Sequence, residues 1–241
     1  MRARVGLLVG LSVFLLLAGA SCVDESPTAP SQAPVYMPLV PGGQATYQFM
    51  GDNGELVFWE TRVRPTPEGT TIVDEDTLWT VADAVYGVDY YSTEGVLTLT
   101  RFMVQRGPIS YVAAEKTIGG ETTLWTVFPD PLRFSPSGMG PAETWTHETT
   151  WTFYEVGPED TNRETGTYVL IGRVLGVERI VVPAPQVDDP ADALWVEYYG
   201  QGDSDPDPET HVQFWLVDGV GIVRQVDLLF GDTVSELSDL P

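Results

Sequence analysis

From Met37 onward, apolar and polar residues alternate with a period of two, in short runs separated by turn residues. In 145–154 (WTHETTWTFY), Trp145, His147, Thr149, Trp151 and Phe153 fall on one face. Thr146, Glu148, Thr150, Thr152 and Tyr154 fall on the other. In 55–63, Val57, Trp59, Thr61 and Val63 point together, opposite Leu56, Phe58, Glu60 and Arg62. In 96–104, Val96, Phe102 and Val104 oppose Leu97, Leu99 and Met103. Turn signals stand between the runs: Pro41-Gly42-Gly43, Asn53-Gly54, Pro65 to Gly69, Glu94-Gly95, Gly107-Pro108, Gly119-Gly120, Gly157 to Asn162 and Gly200 to Pro208. The pattern predicts about a dozen strands. No 3.6-residue apolar stripe is sustained past residue 22, and one helical turn is expected near Asp188–Ala193. Several strands are apolar on both faces, as expected where sheet packs on sheet or curls around an interior. The expected fold is all-β: a curled antiparallel sheet, half-barrel or sandwich, with little helix, in a single domain over 37–241. The stretch 129–143 (PDPLRFSPSGMGPAE) is expected to be a long loop, dividing two halves of one sheet or two small subdomains.

The first residues follow a different rule. Arg2 and Arg4 precede an uncharged apolar run, Val5 to Leu17, then small residues Ala18, Gly19, Ala20 and Ser21, and then Cys22. This layout resembles the signal of bacterial lipoproteins, with Gly19 where that family most often has Leu. The resemblance implies cleavage before Cys22, a diacylglyceryl group on its thiol, and attachment to a membrane through acyl chains. Residues 1–21 are then the signal peptide and 22–36 the lipidated cysteine and a tether. Pro27, Pro30 and Pro34 oppose helix in that tether. Val23, where Asp would signal retention at the inner membrane in enteric bacteria, points toward the outer membrane or its periplasmic face.

Composition narrows the function classes. Twelve basic residues against 35 acidic ones give a formal net charge of −23. Such a chain is repelled by nucleic-acid phosphates and anionic headgroups. A single cysteine excludes a disulfide framework and a cysteine-only zinc site. No G-x-S-x-G element and no H-x-x-x-H spacing is present, so neither a nucleophile elbow nor a paired-histidine metal site is expected. His147 beside Glu148, and His211 after an acidic loop, are read as structural histidines rather than general bases. In that loop Asp203, Asp205 and Asp207 alternate, a weak calcium pattern set against a solvated hairpin loop. Asp218-Gly219-Val220-Gly221 is read as a tight turn or a kink in the curled sheet. Seven Trp and ten Tyr serve either cross-strand packing or a carbohydrate-binding face. No catalytic constellation and no cofactor are expected.

A longer resemblance runs through the C-terminal half. Gly176, Glu178, Ile180, Val182, Pro183 and Ala184, then Ala193, Leu194 and Val196, then Trp215, Gly219, Val220, Gly221, Val223 and Arg224 resemble motifs of uncharacterised bacterial envelope lipoproteins. More distantly, the chain resembles the half-barrel lipoprotein carriers of the Lol type, whose curled sheet covers an apolar cavity lidded by helices. The resemblance implies a non-enzymatic, lipid-anchored envelope protein. It would hold an apolar ligand, or another envelope component, on its sheet. Two alternatives stand beside it: an extracellular carbohydrate-binding or carbohydrate-hydrolysing lipoprotein, and a structural envelope protein without a small ligand.

Overall fold

The computed structural model describes residues 33–51, 53–66, 70–73, 76–80, 85–119, 122–157, 161–203, 210–229 and 233–240. The strands are β1 (Gln44–Met50), β2 (Leu56–Pro65), β3 (Thr70–Val73), β4 (Asp76–Thr80), β5 (Val85–Tyr91), β6 (Leu97–Arg106) and β7 (Ile109–Gly119). They continue as β8 (Thr122–Arg133), β9 (Thr144–Val156), β10 (Thr161–Ile180), β11 (Ala191–Gly202), β12 (Thr210–Val217), β13 (Gly221–Asp227) and β14 (Thr233–Asp239). All pairings are antiparallel, and twelve strands form one closed barrel in the order β1-β14-β13-β12-β11-β10-β9-β8-β7-β6-β5-β2. β3 and β4 form a separate hairpin with β4 beside β8. The expected curled sheet therefore closes on itself completely, with β1 pairing with both β2 and β14.

The turns obey the sequence signals where they are described. Gly54, Gly95 and Gly107 lie at φ +73°, +73° and +60° in the connections β1–β2, β5–β6 and β6–β7. Three expectations need correction. No helical turn forms at 188–193: residues 188–190 are irregular and β11 begins at Ala191. Gly200 and Gly202 remain in β11, because Gly200 pairs with both Leu170 and Thr210. β8 runs through Pro129 and Pro131 to Arg133, so the loop starts only at residue 134. Both prolines sit in an irregular stretch of the β7–β8 ladder, between Ala114↔Val127 and Val112↔Leu132, where their missing N–H groups leave no ladder bond unmade.

One end of the barrel is plugged. Segment 35–39 and the start of the 134–143 loop meet at buried Ser110. Its hydroxyl donates to the Met37 carbonyl at 3.0 Å, and its own carbonyl accepts from the N–H groups of Phe134 and Ser135. The Val35 N–H donates to Asp218 Oδ1 at 2.7 Å, and the Gly219 N–H donates back to the Val35 carbonyl. The largest core packs above this plug, with Leu39, Phe134, Trp145, Val196, Tyr198 and Phe214 among its members.

A second core lies where 181–190 folds against β10–β14, and it absorbs the C-terminal motif. Ile180, Ala184, Val187, Ala191, Ala193, Trp215, Val223 and Leu237 are buried together there. Trp215 Nε1 donates to Glu178 Oε2 at 2.7 Å, and the Arg224 guanidinium stands 5.6 Å over the Trp215 ring while pairing with Glu236. The motif is thus a buttress for one wall. Gly219 and Gly221, at φ +74° and +107°, shape the tight β12–β13 turn as expected.

Candidate functional site

Above the plug a cavity of about 1130 Å³ occupies the barrel interior. Its existence follows from strand number. Eight strands leave an interior that side chains fill or that holds one small ligand, and barrels of sixteen or more open into channels. Twelve lie between, wide enough to leave a cavity among the inward side chains. The volume is at or above the ~300–1,000 Å³ typical of small-molecule sites.

The wall follows strand parity. Val57, Trp59, Thr61 and Val63 all line the cavity, as their shared face in β2 requires. Tyr47 and Phe49 of β1, Tyr90 of β5, Leu99 of β6, Phe128 of β8 and Tyr168 and Leu170 of β10 add aromatic and aliphatic surface. Ser92, Thr93, Thr98, Thr210 and Thr233 border the end opposite the plug, the side of the β1–β2, β5–β6 and β13–β14 connections.

One row of side chains crosses five strands. Tyr47 stacks on Trp59 with ring centroids 4.3 Å apart, and Trp59 on Tyr90 at 5.9 Å. Beyond Tyr90 comes Arg101, whose Nη1 donates to the Tyr90 hydroxyl at 3.3 Å. Arg101 Nε then donates to Glu115 Oε1 at 2.6 Å. Burial pulls the Arg101 pKa down, but the Glu115 carboxylate, Tyr90 and Tyr168 outweigh it, so the guanidinium is held charged more firmly than usual.

Sequence reasoning missed Arg101 and Glu115. Arg101 carries a recoverable signal, since it is the one charge on the β6 face shared by Leu97, Leu99 and Met103. Glu115 carries none. Parity counted from Val112 places Glu115 on the opposite face. The irregularity between Val112 and Ala114 reverses the count and brings Glu115 round to Arg101.

The sequence candidates come to rest elsewhere. His147 accepts the Arg133 N–H on Nδ1 at 3.3 Å, so its proton sits on Nε2, 3.3 Å from Asp130 rather than beside Glu148. His211 lies 3.2 Å from Glu197, on a strand separated from His147's by β10 and β11. Asp203 donates its N–H to the Thr167 carbonyl, while Asp205 and Asp207 fall outside the described residues, as does Cys22. Among the described residues no group of three His, Cys, Asp or Glu is placed to hold a metal. The tryptophans divide: Trp59 faces the cavity, Trp145 belongs to the inner core, and Trp195 and Trp215 stack on each other at 5.6 Å in the buttress.

No protein-family model matches the chain, and no curated protein does. Two solved structures are similar to it. One is a protein described as exported, with a YmcC-like fold, from Bacteroides fragilis: 14% identity, 86% of this chain and 99% of that one covered, TM-score 0.48. The other is described as a lipoprotein from Parabacteroides distasonis: 12% identity, 87% and 100% covered, TM-score 0.46.

Proposed function

We propose that this is a lipid-anchored protein of the bacterial cell envelope that holds an apolar ligand inside its barrel and performs no catalysis. Acyl chains on Cys22 would attach it to the membrane, at the outer membrane or its periplasmic face. The observation that carries the reading is the cavity of about 1130 Å³ with its aromatic and aliphatic lining. Transfer of apolar surface from water into such a wall is worth about 25 cal/mol per Å². A ligand that buries a few hundred Å² therefore gains several kcal/mol before ordering costs. Apolar and aromatic side chains make up most of the wall, and the hydroxyl groups gather toward the mouth, which suits a ligand with an extended apolar part.

The test is native mass spectrometry of the chain carrying Cys22→Ala, purified from a lipid-containing host, with organic extraction of the same sample. A co-purifying fatty acid or phospholipid mass is the expected result. A clean apo mass, with no shift of an environment-sensitive apolar dye, would sink the carrier reading. Radiolabelled palmitate incorporated by the wild-type chain and lost in Cys22→Ala tests the anchor separately.

A further inference from the structure

The cavity wall mixes apolar and aromatic side chains with neutral polar ones such as Thr61 and Gln225, and it carries one charged pair in its depth. Arg101 and Glu115 face each other across β6 and β7 in register, and both line the cavity. The other charged or titratable lining groups are Tyr47, Tyr90, Tyr91, Tyr168, Tyr198, His211 and Asp227. Asp227 and His211 lie at strand ends toward the mouth. An apolar pair at the Arg101–Glu115 position would fold as well, because a half-buried ion pair seldom outperforms well-packed hydrophobic side chains. A charge kept inside a hollow barrel therefore points to a task.

A guanidinium has five N–H groups. Nε serves Glu115, and one N–H on Nη1 serves the Tyr90 hydroxyl. Nη2 makes no hydrogen bond among the described residues and is not a buried atom, so it opens onto the cavity that Arg101 lines. The aromatic rings of Tyr90 and Phe134, 5.6 and 5.4 Å from the guanidinium carbon, fix its plane. Its free edge is thus a preorganised fork for a planar anion. Arg101 is four residues from Leu97, the mouth end of β6, which is about 13 Å of strand at about 3.3 Å per residue. Leu99, Tyr90 and Trp59 line that upper part.

We propose that Arg101 seats the head of a single-chain amphiphile whose head is a carboxylate and whose tail lies along Trp59, Tyr90 and Leu99 toward the mouth. The proposal rests on the barrel interior being a ligand site. A carboxylate suits the site better than a phosphate, because Glu115 already balances the one guanidinium. A single planar negative charge adds least repulsion there and matches the fork.

The test uses the full chain carrying Cys22→Ala, so that no covalent acyl group competes. Dodecanoate, dodecanol, dodecyl phosphate and dodecyltrimethylammonium share one tail and are titrated by calorimetry and tryptophan fluorescence. Dodecanoate is expected to bind at least about tenfold tighter than dodecanol. Arg101→Gln should bring the acid down to the alcohol's affinity. Glu115→Gln should tighten the acid severalfold by removing a like charge. Because Arg101→Gln strands the Glu115 carboxylate and can unfold the barrel, the neutral double variant Arg101→Gln/Glu115→Gln is measured beside it and should lose the acid preference. Equal binding of acid and alcohol overturns the headgroup site and leaves the carrier reading standing. So does tighter binding of the phosphate or the ammonium, or an acid preference that survives in the double variant. If none of the four binds the Cys22→Ala chain, both readings fail.

Discussion

Tyr198 shows how single residues hold this barrel. It is 1% exposed, stacks on Phe134 with centroids 5.0 Å apart, and donates its hydroxyl to the Phe134 carbonyl at the head of the plug. Burial raises its pKa above the ordinary 10.0, against a smaller lowering by Arg133. Tyr47 is raised in the same way, by burial first and by Tyr90 second. A tyrosine whose pKa is higher folded than unfolded contributes its full stabilisation below the unfolded value, and that contribution disappears as pH rises through the folded value. Stability should therefore hold to about pH 10 and then fall. An alkaline titration read by tyrosinate absorbance and near-ultraviolet circular dichroism should show a class of tyrosines ionising only as tertiary signal is lost. Simultaneous ionisation of all ten tyrosines near pH 10 with the fold intact would contradict this assignment. At this scale the sequence was legible where parity is unbroken, as along Val57–Val63. It was illegible at Glu115, where one extra residue in the ladder reverses the face of everything beyond it.

The elements are tied together by pairs that cross them. Trp145 and Trp151 of β9 stand opposite Gly172 and Gly166 of β10, and each indole lies over its glycine. Trp151 Nε1 also donates to the Thr167 carbonyl at 3.1 Å. A β-carbon on Gly172 would come within 2.0 Å of the buried Trp145 ring. Gly172→Ala should therefore destabilise by about 1–3 kcal/mol, seen as a lower urea midpoint, because the ring has packed neighbours on its other side. A midpoint unchanged from wild type would show that the indole swings clear. The tryptophan strand itself was readable from alternation, but its glycine partners were not. Nothing in a sequence says which residue of a neighbouring strand stands opposite. The prolines of β8 misled for a related reason. They mark a break in pairing, and here the strand continues through that break.

At the scale of the whole molecule, the outward positions include exposed Arg62, Glu148, Arg163 and Arg173. A barrel that faced lipid would carry an apolar band there, so this wall is built to face water and its apolar surface is turned inward. Closure also leaves no open edge on the barrel, because the first and last strands join through Thr46–Phe49 and Ser235–Asp239. Removing β14 should expose one edge on β1 and one on β13, and unpaired edges recruit other chains. A chain ending at Asp227 is expected to aggregate by light scattering at concentrations where the full chain stays monodisperse. Monodispersity of the shortened chain would show that β1 and β13 reseal without β14. All-β class, antiparallel pairing and about a dozen strands were legible from periodicity and turns. Closure was not, because it depends on one pairing between the two ends of the domain.

That pairing also puts a clock on the molecule. Hairpins between neighbouring strands form as soon as both are free, whereas the ring needs its last strand before its first is satisfied on both sides. A chain fed through a narrow pore from its N-terminus would stay an open, pliable ribbon until Thr233–Asp239 came through. Only then would the interior shut, so the cavity is the last feature of the fold to be completed.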